Sequence, residues 1–226
     1  MSELFRYKNK YFSILGDSVS TLDGYTRPDF ASYYEGVRKF EAEVLFVEDT
    51  WWGQLVDALG GRLLVNNSIA GSMVIKHRSC IAETYGCSYE RIRDLSRDGT
   101  EPEVVIVFMG YNDWGCGAAL KDGDEDISAF PSAYRLMLHR IRECYPNTEI
   151  WCLTLPTNPD KAIWNGRAAS DYCEVIREVA RAEDCRSLDL NYALKDFDTV
   201  DGFHPNASGM RAISRALLSL IEEGER

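Results

Sequence analysis

Residues Tyr11-Phe12-Ser13-Ile14-Leu15-Gly16-Asp17-Ser18 begin as a short, dense apolar run and break off at Gly-Asp-Ser. An apolar run with little alternation suits a strand covered on both faces, as in a parallel sheet. Four further runs share this character: Arg62 to Val65, Val104 to Met109, Glu149 to Leu155 and Ser187 to Leu190. Helix candidates lie between them. Asp49 or Thr50 can cap one that passes through Trp51, Leu55, Val56 and Leu59 and stops at Gly60-Gly61. Others cover Ser88 to Arg97, Ser132 to Cys144 (ended by Tyr145-Pro146), Ala168 to Ala182 and Ala207 to Glu222. This alternation predicts an α/β chain with an open, doubly wound sheet and helices on both faces.

The 226 residues fit one domain, 1–226, with no repeat, low-complexity tract or linker to divide it. Basic residues number 25 against 36 acidic ones, a net charge of −11. That excludes the basic stripe of a nucleic-acid reader and argues against docking on anionic lipid. No window reaches the ~18 apolar residues that span a bilayer. Met1 to Lys10 carries no signal-peptide apolar segment, so a cytoplasmic setting is expected, without nucleic-acid or membrane partners. A homo-oligomer is left open. Seven cysteines, odd in number and without a Cys-x-x-Cys pair, fit a reducing compartment. A zinc site could draw only on His77, Cys80 and Cys87 in a chain with three histidines, so no metal is expected.

One segment breaks the rhythm. Ser20 to Glu48 is a long insert between the first strand and the first helix, where a few residues would suffice. Tyr25, Phe30, Tyr33, Tyr34, Phe40 and Phe46 make it too aromatic for disorder. It is expected to shape a pocket, with tyrosine faces open to a sugar-like ring.

Ligands of doubly wound sheets bind beyond the carboxyl ends of the strands. Gly16-Asp17-Ser18 follows the first run, Asn66 to Gly71 the second and Gly110-Tyr111-Asn112-Asp113 the third. Asp201-Gly202-Phe203-His204-Pro205 lies past the fifth. A candidate nucleophile, a glycine, an amide and an acid/base pair thus meet on one edge, which is what acyl transfer to an oxygen nucleophile requires. Rival motifs fail. Gly16-Asp17-Ser18-Val19-Ser20 is not Gly-x-Ser-x-Gly, and Gly115-Cys116-Gly117 meets Leu120 where a dinucleotide fingerprint needs glycine. Cys116 has no histidine near it in sequence to serve it as a nucleophile.

Together the four blocks resemble the SGNH (GDSL-type) hydrolase family, over nearly the whole chain from Tyr11 to the C-terminal helix. The resemblance implies a three-layer αβα, flavodoxin-like fold with a five-stranded parallel sheet in the order 2-1-3-4-5. It implies a serine esterase without metal or organic cofactor: Ser18 as nucleophile, His204 as base and Asp201 as its carboxylate partner. Asp196 and Asp198 share that acidic loop, but the three-residue spacing favours Asp201. The implied oxyanion hole combines the backbone N–H groups of Ser18 and Gly71 with the Asn112 amide. The expected substrate is a small-molecule ester with a small acyl group, acetylated carbohydrates included. An acyltransferase using the same site, and a non-catalytic binding protein on the same scaffold, are the rivals.

Overall fold

The computed structural model describes residues 3–77, 84–121 and 127–224. Its main sheet is built from β1 (Tyr11–Gly16), β2 (Arg62–Ser68), β3 (Val104–Phe108), β4 (Glu149–Leu153) and β7 (Arg186–Leu188). All neighbours pair in parallel, in the order β2-β1-β3-β4-β7. The order is the expected one. Its fifth strand is seventh in the chain because a small antiparallel hairpin intervenes, made of β5 (Ile163–Trp164) and β6 (Arg167–Ala168).

Helix α2 (Trp51–Ala58) packs on α8 (Ala207–Glu223), while α3 (Tyr89–Arg93), α5 (Phe130–Cys144) and α6 (Ala169–Ala182) pack in series. The sheet is wound in one direction from β1 to β2 and in the other from β3 through β4 to β7. Because parallel crossovers are right-handed, the two helix sets fall on opposite faces, giving three layers. The central strand β3, Val-Val-Ile-Val-Phe, is buried throughout, as a β-branched run under two helical layers should be.

Local chemistry sets the boundaries. Thr50 caps α2, its Oγ1 accepting from Gly53 N at 3.0 Å; Asp49 instead holds the N–H groups of Leu45 and Phe46. Both Trp51 and Trp52 are buried on α2, Trp51 edge-on to Phe108 and Trp52 donating to Ser20 O. Helix α3 stops well short of Arg97, because the Tyr145 hydroxyl donates to the carbonyls of Ile92 and Arg93 at its end. Strand β2 runs three residues past Val65, through Asn66, Asn67 and Ser68.

Three short helices were not foreseen: α1 (Gly36–Glu41) within the insert, α4 (Tyr111–Cys116) after β3, and α7 (Leu190–Ala193) after β7. Among the described residues no helix is long and apolar enough to cross a membrane, and no group of three or more potential ligands could hold a metal. Cys80 lies outside the described residues.

Candidate active site

The sheet's carboxyl edge begins at Gly16, where a side chain would drive a Cβ to within 2.5 Å of Ser68 Oγ. Only glycine lets β1 and β2 approach this closely. Asp17 then caps the turn Ser18–Ser20, its Oδ1 accepting from Val19 N at 3.2 Å. Burial pushes the Asp17 carboxyl up to about 7 against the pull of that N–H, and the nearby Asp113 adds to the rise. The turn ends on Thr21, whose hydroxyl donates to Ser18 O and accepts from Tyr33 N, tying the insert to the first block.

Ser18 faces a histidine. Its Oγ lies 2.9 Å from His204 Nε2, and His204 Nδ1 lies 2.8 Å from Asp201 Oδ2. Asp201 Oδ1 accepts the backbone N–H groups of Phe203 and His204, so one carboxylate shapes the loop and orients the ring. Burial alone would raise the Asp201 pKa, but these N–H groups and the imidazole bring it down to about 2. Burial lowers the His204 pKa below its ordinary value; Asp201 opposes this, and the Arg38 guanidinium adds to the lowering. Of the three acids on this stretch, Asp201 is the one hydrogen-bonded to His204.

The glycine and the amide meet through Ser72. Gly71 has φ of +77°, a conformation that favours glycine. Next to it, Ser72 Oγ donates to Gly16 O at 3.4 Å, and Ser72 O accepts from Asn112 Nδ2 at 2.9 Å. Asp113 braces the same loop from α4, its carboxylate accepting from Val74 N and Ile75 N. Burial pushes Asp113 up to about 6, those N–H groups resisting. Cys116 on the same helix has its thiol raised by burial, which disfavours it as a nucleophile.

Several neighbours escaped the sequence reading. Tyr33 lies flat on the His204 ring and donates to Asp201 Oδ2. Tyr34 is buried, its hydroxyl on Pro205 O. These two tyrosines are therefore engaged internally rather than open to a sugar; Tyr25 stays half exposed against Trp52. Arg91, fully buried under the edge, donates to the carbonyls of Gly16, Asn67 and Thr84. The β5–β6 hairpin stacks Trp164 on Phe203, one residue before His204, and sets it edge-on to Trp114 of α4. Its Asn165-Gly166 tip, both residues at positive φ, is a hairpin signal that the sequence did carry.

Fold and chemistry define the class: an ester-hydrolysing serine hydrolase on a three-layer αβα scaffold. Residues 10–221 match the model of the GDSL-like lipase/acylhydrolase family, and the chain belongs to that family. It is similar to the solved structures of two proteins described as GDSL-like lipases. The one from Bacteroides ovatus is 26% identical with a TM-score of 0.77, covering 96% of this chain and 99% of its own. The one from Bacteroides uniformis is also 26% identical, with a TM-score of 0.74 and coverage of 96% and 97%. A carbohydrate acetylesterase family member from Sinorhizobium meliloti shares the fold at 16% identity, with a TM-score of 0.62 and coverage of 95% and 98%. No curated protein matches the chain by sequence.

Proposed function

We propose that Ser18, His204 and Asp201 act as a catalytic triad that hydrolyses a small acyl ester of a polar alcohol, an acetylated carbohydrate being the substrate class we favour. The observation that carries this reading is the continuous relay from Ser18 Oγ through His204 to Asp201, at 2.9 and 2.8 Å. As Ser18 Oγ attacks the acyl carbonyl, His204 Nε2 takes its proton and Asp201 stabilises the imidazolium. The oxyanion is met by the N–H groups of Ser18 and Gly71 and by Asn112 Nδ2. Collapse expels the alcohol, which leaves with the proton from His204. Water then attacks the acyl-serine by the same route in reverse.

The surroundings support a polar alcohol. Trp164, 40% exposed beside Phe203, offers an aromatic surface near the His204 loop. A series of aryl esters from acetyl to dodecanoyl tests the acyl side. Activity should peak at about two to four carbons, since the ~0.8 kcal/mol per buried methylene is realised only against an apolar wall. A steady climb in kcat/KM toward long chains would sink the small-acyl reading. Loss of hydrolysis in Ser18→Ala and His204→Ala, combining non-additively, tests the triad itself.

A further inference from the structure

Tyr33 comes to the site from the insert and makes three distinct contacts there. Its ring is parallel to the His204 imidazole, with centroids 3.5 Å apart and 8° between planes. Its hydroxyl donates to Asp201 Oδ2 at 2.9 Å, the same oxygen that holds His204 Nδ1. The Arg38 guanidinium of α1 sits over the Tyr33 ring, 5.1 Å from its centroid.

We propose that Tyr33, backed by Arg38, is a positioning residue that fixes the plane of the His204 imidazole and weakens the carboxylate's hold on its proton. This rests on the reading of Ser18 and His204 as the reacting pair. Two hydrogen bonds, to Ser18 and Asp201, restrain the imidazole within its own plane; a ring stacked flat on it restrains the remaining tilt and keeps water off that face. The hydroxyl acts on charge. A carboxylate oxygen that already accepts an O–H bond stabilises an imidazolium less, so the base sheds its proton more readily.

The groups around His204 divide cleanly. Asp201 favours the imidazolium, and Ser18 at the end of β1 is neutral. Arg38 opposes the imidazolium as a like charge across the Tyr33 ring. Glu41, also on α1, acts on Tyr33, whose phenol is held un-ionised by burial and by Asp201. Tyr33 therefore stays a donor throughout the range in which His204 titrates.

The test is an NMR titration of the His204 ring protons, run beside the pH profile of kcat/KM, in wild type, Tyr33→Phe, Tyr33→Leu and Arg38→Gln. The chain has only three histidines, so the ring signals are few. Ring-current shielding of His204 should persist in Tyr33→Phe and vanish in Tyr33→Leu. In Tyr33→Phe both the titration midpoint and the acid limb should move up by about half to one pH unit, the scale expected for one charge-assisted hydrogen bond opposed by relaxation. Arg38→Gln should move them the same way by less, and added salt should reproduce its effect in wild type by screening an exposed charge. If Tyr33→Leu does not fold, Tyr33→Phe and Arg38→Gln carry the test. A midpoint unmoved or lowered in Tyr33→Phe overturns the proposal, even if kcat falls. A wild-type chain that cleaves no ester would overturn the functional reading instead, while the titration still reports on the Tyr33 contact.

Discussion

Asn112 Nδ2 donates to Ser72 O at 2.9 Å, and this bond ties the segment after β3 to the residue that follows Gly71. An amide nitrogen carries two protons. With one committed to Ser72, the side chain is held in a single orientation, and its other proton is the one the proposed oxyanion hole would use. Asn112→Ala should then lower kcat by ~10²–10³ with little effect on KM, because the lost bond strengthens only in the transition state. Steady-state kinetics on an acetyl ester check this. A variant with full kcat would remove Asn112 from the oxyanion hole.

The pH profile follows from how the structure shifts His204 and Asp201. In the proposed triad His204 must be neutral to accept the serine proton; burial and Arg38 lower its pKa below the ordinary 6.5. Asp201, at about 2, stays ionised throughout. Wild-type kcat/KM should rise with pH through one ionisation below 6.5 and then level off. An acid limb centred above that value would contradict the balance of burial, Arg38 and Asp201 derived from the structure.

Much of this edge is readable from sequence because three blocks directly follow strands and the fourth lies on the loop before the last helix. Gly16, Gly110 and the Asp201–His204 spacing mark those points without any tertiary information. What is not readable depends on contacts distant in the chain. Asn66, Asn67 and Ser68 look like loop residues, yet they continue β2. Their polar groups are satisfied sideways: Asn66 on Ser20 O, Asn67 on Arg91 O, and Ser68 on Asn66. Tyr33 meets Asp201 across 168 residues, and no periodicity in the insert foretells that contact. Helix α4 hides between glycines that read as turns, and its C-terminal Gly117 packs against Arg167 of the hairpin.

Asp17 makes a stability prediction. Its carboxyl, pushed up to about 7 by burial from the ordinary 3.8 of an exposed aspartate, keeps a proton that the unfolded chain has already lost. Between those values the folded state binds more protons, so this residue's contribution to stability falls as pH rises. Asp17→Asn cannot titrate, and its Oδ1 can still accept from Val19 N. The melting temperature of the variant, relative to wild type, should therefore climb as pH is raised from about 4 to about 8. A difference that stays constant across this range would show that Asp17 does not carry the shifted ionisation.

The proposed triad makes Ser18 the nucleophile and His204 its base. Its most direct measurement is covalent labelling with a fluorophosphonate, read by intact mass and by mapping the modified peptide. The expected result is a single adduct on Ser18, absent in Ser18→Ala and formed far more slowly in His204→Ala. An adduct on any other residue, or labelling undiminished in Ser18→Ala, would contradict it.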